Sequence, residues 1–306
     1  MKIQTSAPGK LMLLGEHAVV YGYPCLVTAV DNRLYVSAEL HKKKEDEIVA
    51  PQVKESNFVK ETLRVFKSKY HILDNLKIET QSEFSHTVGF GSSSAVTVAT
   101  LKALSILLDI SLSSKEIFDL SYEVVLAIQS VGSGFDVAIA DYGHTLYFTG
   151  GGKEIRPLKN DEMHLVVGYS GTKADTPTLV KKVSALRKEK KEEVDGIFDS
   201  IGKLVGQATE CIQIKKWEEL GKLMTQNHTL LQSLDVSTDR LDSMVHTAVE
   251  AGAYGAKLSG AGGGDCMIAL VHEDKREAVE KAIESVGGEV IRVKTNAEGV
   301  RIESGE

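Results

Sequence analysis

The chain has 306 residues, of which 42 % are hydrophobic and 26 % charged, the balance of an ordinary soluble globular protein with one large or two smaller domains. Its 43 acidic side chains outnumber its 36 basic ones, and the net charge of −7 argues against a surface built to meet nucleic acid or anionic lipid. No apolar run approaches the roughly 18 residues of a membrane span, and three scattered cysteines indicate neither a disulfide framework nor a zinc site. We therefore predict a cytoplasmic protein without nucleic-acid or membrane partners.

The first half of the chain predicts strands interleaved with helices. Short runs of β-forming residues separated by turns alternate with amphipathic stretches of helical period. The predicted strands cover residues 11–14, 24–30, 33–40, 76–80 and 145–148. The predicted helices cover residues 56–70, 92–108 and 115–129.

A glycine run at 150–152 precedes a second half of different texture. Here the predicted strands cover residues 164–168, 266–271, 289–294 and 299–303, and the predicted helices 176–213, 215–233, 239–251 and 274–286. Strands and helices mix without regular βαβ alternation, which indicates the α+β class. We place a boundary between 155 and 165 and predict an N-terminal domain of residues 1–160 and a C-terminal domain of residues 161–306.

Three short segments combine glycines with small hydroxyl or charged residues. They are SAPGKLMLLGEHAVVYG at 6–22, VGFGSSSA at 88–95 and KLSGAGGGDC at 257–266. In the second segment, Gly89 and Gly91 let the backbone approach a ligand closely, and the helix that follows offers its N-terminal N–H groups to a phosphate. A serine hydroxyl there could also ligate Mg²⁺. The alternative is a serine that caps the helix after a tight turn, with no ligand.

Two familiar nucleotide motifs are excluded. A Walker A loop needs Gly-Lys followed by Ser or Thr, but each Gly-Lys pair in this chain is followed by Leu or Glu. A dinucleotide fingerprint needs a third glycine where this chain has Ser94. A phosphate loop in this protein therefore belongs to another class.

In this order, the three segments resemble the signature motifs of the GHMP kinases, a family that includes galactokinase, homoserine kinase, mevalonate kinase and phosphomevalonate kinase. The resemblance extends from Ser6 over nearly the whole chain. It implies an N-terminal α/β domain that is ribosomal-protein-S5-like and a C-terminal domain that is ferredoxin-like. It also implies that ATP, Mg²⁺ and a small-molecule acceptor bind in the cleft between the domains.

The resemblance assigns the ATP site to the second and third segments. The residues that would wrap the triphosphate are Gly89, Phe90, Gly91, Ser92, Ser93 and Ser94. Those that would close the opposite side are Gly260, Gly262 and Gly263. The hydroxyl of Ser93 matches the position of the family's Mg²⁺ ligand.

For the acceptor, the resemblance implies that Glu16 and His17 line the pocket and that Lys173 and Thr178 lie on its substrate-side segment. Lys10 would approach the transferring phosphate, where a buried cation stabilises negative charge. Asp136 is our catalytic carboxylate, because phosphoryl transfer needs a group that orients the acceptor hydroxyl and takes its proton. The alternative for Asp136 is an N-cap of a helix that begins at Val137.

Within the family, segments 15–22 and 227–236 resemble the mevalonate kinases, which implies phosphorylation of the primary hydroxyl of mevalonate to 5-phosphomevalonate in isoprenoid biosynthesis. Segment 129–138 resembles phosphomevalonate kinases at least as well as mevalonate kinases, and Asp265 points the same way, so phosphomevalonate kinase or a sugar kinase is the alternative. The alignment places Val125 where mevalonate kinases carry a glutamate that ligates Mg²⁺. A nucleotide binder without chemistry is the non-enzymatic alternative, and a homodimer is the assembly to test.

Overall fold

The computed structural model describes residues 1–305, which form two β-sheets and the helices that cover them. The strands are β1 (Lys2–Leu14), β2 (Pro24–His41), β3 (Glu47–Val49), β4 (Asn75–Ser82), β5 (Thr145–Thr149), β6 (Ile155–Leu158), β7 (Leu165–Tyr169), β8 (Gly255–Ser259), β9 (Cys266–Leu270), β10 (Glu289–Ile291) and β11 (Arg301–Gly305). The helices are α1 (Asn57–Tyr70), α2 (Ser92–Leu107), α3 (Ser114–Gln129), α4 (Phe135–Tyr142), α5 (Thr176–Glu189), α6 (Lys191–Gln213), α7 (Trp217–Ser233), α8 (Asp239–Glu250) and α9 (Arg276–Ser285). Within these residues no helix is long and apolar enough to cross a bilayer.

The first sheet is built on the long antiparallel pair β1 and β2. The strands follow the order β11-β1-β2-β4-β3, and β5 and β6 extend the sheet beside the first half of β2. From Thr5 onward every residue of β1 is buried, because α2, α4 and β8 all pack against this strand. The edge of the sheet next to β1 is closed by β11, so the end of the described chain returns to the sheet that the first residues began.

The second sheet is antiparallel with the order β10-β7-β9-β8, and the helices α7, α8 and α9 cover it. Strands β8 and β9 are wholly buried and are joined by the third glycine-rich segment. The two sheets meet where Ser259 at the end of β8 contacts β1: its hydroxyl accepts from the N–H of Met12 at 2.9 Å and donates to the Met12 carbonyl at 3.1 Å. This contact brings the first and third glycine-rich segments side by side.

The α+β class predicted from the sequence is confirmed, and several elements differ from their predicted bounds. The separate strands predicted at 24–30 and 33–40 form the single strand β2, which changes partner from β5 to β4 along its length. The helix predicted over 176–213 is broken at Lys190, whose φ of −126° leaves the helical range. Strand β1 begins at Lys2, nine residues before its predicted start, and the short strands β3, β6 and β8 were not predicted. Helix α4 begins at Phe135, two residues before the position considered from the sequence.

Candidate active site

The three glycine-rich segments converge on one cavity of about 1550 Å³. It lies where the first sheet, the start of α2 and the turn after β8 come together. The residues from the sequence predictions that line it are Lys10, Glu16, His17, Gly89, Phe90, Gly91, Ser92, Ser93, Ser94, Asp136, Lys173 and Gly260. The fold thus assembles in one place residues as far apart in the sequence as Lys10 and Gly260.

Lys10 reaches the cavity from β1, just past a bulge in the facing strand β2. The register between the two strands shifts between Pro8 and Gly9, where β2 carries two extra residues, Asp31 and Asn32. The Lys10 N–H donates to the Phe90 carbonyl at 3.1 Å, which ties β1 to the second glycine-rich segment. The Lys10 ammonium is almost fully buried, lies 3.3 Å from Oδ1 of Asp136 and is 5.4 Å from the centre of the Phe135 ring.

Asp136 lies in the first turn of α4. The residue that caps this helix is Gly134, with φ of 90°, so the structure does not show Asp136 as an N-cap. About one third of the Asp136 side chain is exposed, and it lines the cavity. A carboxylate held beside a buried ammonium and open to a cavity can accept a proton from a bound alcohol.

The second glycine-rich segment ends in the first turn of α2. Gly91 precedes the helix in the left-handed conformation, with φ of 77°, and its carbonyl accepts from the N–H groups of Ser94 and Ala95. A Cβ at Gly91 would lie 3.1 Å from Cγ of Lys10 and 3.5 Å from the Asp136 carboxylate. The loop backbone therefore passes directly over the Lys10–Asp136 pair. The first N–H groups of α2 and the helix dipole favour an anion at this end of the cavity.

Glu16 lines the cavity, but both oxygens of its carboxylate bond to other side chains of the protein. It forms a fully buried ion pair with the ammonium of Lys257 on β8, and its second oxygen accepts from Nδ2 of Asn227 on α7 at 3.1 Å. Burial lowers the pKa of Lys257, and the neighbouring Glu16 opposes that shift. The sequence analysis did not single out Lys257 or Asn227 for this role. The available signal was a lysine inside an otherwise apolar strand, which needs a buried partner.

His17 lies in the wall of the cavity with an unusual backbone, at φ of 59°. Its Nε2 is 2.8 Å from the Ala261 carbonyl, which can only accept, so Nε2 carries the proton. Burial lowers the pKa of the imidazole, although the Ala261 carbonyl and Glu16 oppose the shift. The neutral ring therefore has an accepting Nδ1, which suits contact with a hydroxyl group.

Three predicted residues lie outside the cavity wall. Thr178 is exposed on α5 and its hydroxyl donates to the Asp175 carboxylate at 2.7 Å, in the cap of that helix. The N–H of Gly263 donates to the Val236 carbonyl at 2.7 Å, and Gly262 packs against the same carbonyl.

Lys173, by contrast, lines the cavity, and its side chain is exposed.

The residues around the predicted metal position offer few ligands. Val125 and Gln129 on α3 line the cavity, while Glu123 on the same helix is exposed and does not. Within residues 1–305 there is no group of three or more His, Cys, Asp or Glu side chains that could hold a metal ion. The Ser93 hydroxyl in the wall fits a Mg²⁺ ion that arrives on nucleotide phosphates and keeps several waters.

The cavity is also lined by residues 50–59, which lead into α1, and by residues 80–86, which run from the end of β4. Neither segment contains a glycine-rich motif, and neither was assigned a function from the sequence.

Comparison with known proteins agrees with this geometry. The model described as the GHMP kinases N terminal domain matches residues 57–144, and the one described as GHMP kinases C terminal matches 208–289. The mevalonate kinase of Pyrococcus abyssi is 38 % identical, over 98 % of this chain and 98 % of that protein. The mevalonate kinase of Thermococcus sibiricus is 36 % identical, over 99 % of both. This chain belongs to the GHMP kinase family.

A solved GHMP kinase supports the same assignment. The crystal structure of L. major mevalonate kinase in complex with R-mevalonate is 25 % identical and superimposes with a TM-score of 0.84, covering 97 % of this chain and 96 % of that one. A further family model, the galactokinase galactose-binding signature, matches residues 2–40, which hold Lys10 and His17. The family and the fold that the three motifs predicted are confirmed.

Proposed function

We propose that this GHMP kinase transfers the γ-phosphoryl group of ATP to the primary hydroxyl of mevalonate, giving 5-phosphomevalonate for isoprenoid biosynthesis. The observation that carries the proposal is the Lys10 ammonium 3.3 Å from the Asp136 carboxylate, beneath the N-terminal end of α2. The choice of acceptor is supported by the relatives named mevalonate kinase, which align with almost the whole chain.

In the proposed reaction, Asp136 orients the acceptor hydroxyl and takes its proton as the new O–P bond forms and the bond to the β-phosphate oxygen breaks. The buried Lys10 ammonium stabilises the negative charge of the transferring group. The residues Gly89–Ser94 hold the triphosphate against the helix end. ADP is the leaving group, and the proton departs from Asp136 after product release.

For the acceptor, His17 and Lys173 are the proposed contacts. The accepting Nδ1 of His17 suits the tertiary hydroxyl of mevalonate, and Lys173 suits its carboxylate. Ser93 would hold Mg²⁺ together with the phosphates and water. When bound, the ion would neutralise part of the phosphate charge. The cytoplasmic location and a homodimer remain predictions.

The test is an ADP-release assay coupled to NADH oxidation, with mevalonate, phosphomevalonate and galactose as acceptors. We expect turnover with mevalonate alone at micromolar to millimolar concentrations. Phosphorus NMR should show a phosphomonoester on the primary carbon. Higher kcat/KM with phosphomevalonate, or with galactose as the signature over residues 2–40 suggests, would overturn the acceptor. ADP release with none of the three would overturn the proposed function.

A further inference from the structure

Asp265 is the one charged residue of the third glycine-rich segment that lines the cavity, and the mechanism leaves it without a task. Its backbone is left-handed, with φ of 54°, a conformation that Asp, Asn and Gly tolerate best. The residue is buried, and it precedes β9 directly.

Asp265 forms three hydrogen bonds with residues 170–174, the segment that contains the proposed acceptor contact Lys173. Its N–H donates to the Thr172 carbonyl at 2.7 Å, and its carbonyl accepts from the Ser170 N–H at 2.9 Å. Its Oδ1 accepts from the Ala174 N–H at 2.9 Å. These bonds lie on both sides of Lys173, so they determine where that side chain enters the cavity.

Asp265 and the next residue, Cys266, also contact the second glycine-rich segment, the proposed phosphate loop. A Cβ at Gly89 would lie only 2.5 Å from Oδ2 of Asp265, so the carboxylate rests against the loop backbone. The thiol of Cys266 donates to the Val88 carbonyl at 3.1 Å. The start of β9 therefore contacts both the proposed phosphate loop and residues 170–174.

The charges around Asp265 suit a positioning role better than a reactive one. Burial raises the pKa of its carboxyl, and Lys10 and Lys173, together with the Ala174 N–H, oppose the shift. The nearby Asp136 already pairs with Lys10. A second carboxylate that is held by a backbone donor can transmit a displacement between the two loops.

We infer that Asp265 is a positioning residue that couples the two substrate sites. Its Oδ2 packs against Gly89, while its Oδ1 and peptide groups form hydrogen bonds with residues 170–174. Closure of the phosphate loop on ATP therefore sets Lys173 for the acceptor, and each substrate strengthens the binding of the other. The inference rests on the proposed function only for the identity of the acceptor.

The first test needs no acceptor and no variant. Hydrogen–deuterium exchange of the Ala174 amide, which donates to Oδ1 of Asp265, is measured with and without a non-hydrolysable ATP analogue. We expect exchange at Ala174 to slow by at least about fivefold when the analogue binds. Unchanged exchange at saturating analogue would overturn the coupling. This result does not depend on whether mevalonate is the acceptor.

The second test compares Asp265→Gly with Asp265→Asn. Glycine keeps the left-handed backbone but removes the carboxylate, whereas asparagine keeps an oxygen that can accept from Ala174. In the wild type, the Kd of mevalonate measured by calorimetry should fall by about 5- to 150-fold when the ATP analogue is present. Asp265→Gly should abolish most of this difference, while the Kd of the ATP analogue measured without mevalonate stays within about threefold of the wild type, and Asp265→Asn should keep most of the difference.

Asp235→Gly is the matched control, because Asp235 also has a left-handed backbone, at φ of 56°, and lies outside the cavity wall. It should keep the full coupling. Equal loss of coupling in Asp265→Gly and Asp235→Gly, or full coupling in Asp265→Gly, would contradict the inference. A wild type that binds mevalonate equally well with and without the analogue would do the same. A wild type that does not bind mevalonate overturns the acceptor instead, and the exchange experiment then still tests the coupling.

Discussion

Asp136 and Lys10 face each other at 3.3 Å in the wall of the cavity, and only the carboxylate can take a proton from an alcohol. Asp136→Asn keeps the shape of the side chain, and Gly134 still caps α4, so the variant should fold. An amide cannot act as the base, and general-base contributions run to about 10²–10⁴-fold. We expect kcat to fall by that order while ATP affinity, measured by calorimetry, stays close to that of the wild type. Turnover within tenfold of the wild type would remove Asp136 from the mechanism.

Ser93 is the hydroxyl that we propose for Mg²⁺, and the apolar Val125 lines the same cavity. Ser93→Ala should therefore raise the Mg²⁺ concentration needed for half-maximal activity severalfold, as measured by titration at fixed ATP. Val125→Glu should lower that concentration or leave it unchanged, because it adds a carboxylate to the cavity wall. A Ser93→Ala variant with an unaltered Mg²⁺ titration would show that this hydroxyl is not a ligand.

Asp141 lies in the last turn of α4, and its buried Oδ2 has no hydrogen-bond partner within residues 1–305. Burial raises the pKa of this carboxyl to about 7, and Lys102 on α2 opposes the shift only in part. The unfolded chain loses this proton near pH 4, so stability falls as the pH rises from about 4 to 7 and the full penalty remains above pH 7. A difference of roughly three pKa units sets an upper bound of about 4 kcal/mol.

Asp141→Asn should remove this penalty. We expect the variant to be more stable than the wild type at pH 8 in urea unfolding, with an advantage that shrinks towards pH 4. The control is Asp119→Asn, since the Asp119 carboxylate is about half exposed and pairs with Lys115 on the surface. A constant difference between Asp141→Asn and the wild type across this pH range would show that the carboxyl is not protonated in the folded protein.

At the scale of the elements, the buried ion pair of Lys257 and Glu16 joins β8 to the turn that follows β1, and Asn227 on α7 donates to the same carboxylate. Lys257→Met would leave Glu16 charged and without its partner in the interior, where breaking such a pair costs about 3–5 kcal/mol. Replacing both residues, with Glu16→Gln and Lys257→Met, should recover most of that loss. The measurement is the free energy of unfolding in urea for the wild type, Lys257→Met, Glu16→Gln and the double variant.

The exposed pair of Lys2 and Glu79 provides the control for this cycle, at 2.6 Å on the surface of the first sheet. Lys2→Met should change stability little, because solvent screens exposed charges. A Lys257→Met protein as stable as the wild type would mean that the buried pair contributes no net stability. A double variant no more stable than Lys257→Met would mean that the loss comes from packing.

At the scale of the whole molecule, the first sheet depends on the end of the chain. Arg33 on β2 is buried, and its guanidinium donates to the carbonyls of Glu298 at 2.9 Å and Gly299 at 2.6 Å, while β11 pairs with β1. A fragment of residues 1–160 would leave Arg33 without these two carbonyls and Glu16 without Lys257, its buried partner. We expect the fragment to show no cooperative thermal transition in calorimetry, in contrast to the full chain. A fragment with a sharp transition would indicate that residues 1–160 fold independently.

Much of the fold and part of the site could be predicted from the sequence. The helices at 56–70, 92–108 and 115–129 agree with α1, α2 and α3 to within a residue, because their apolar period is local. The capping box of Ser113 and Glu116 likewise fixes the start of α3. The glycines of the second segment indicated a sharp turn before α2, and Gly89 and Gly91 do adopt the left-handed conformation that favours glycine.

Contacts between distant residues were decided only by the tertiary structure. From the sequence, Glu16 was an acceptor contact, whereas in the fold its carboxylate pairs with Lys257, 241 residues away along the chain. Likewise, the strand predicted at 299–303 could have joined either sheet, and only its pairing with β1 shows which. Residue type and spacing determine local backbone, caps and loop conformation. Which buried charge finds which partner depends on how the two sheets pack, and that is a property of the whole chain.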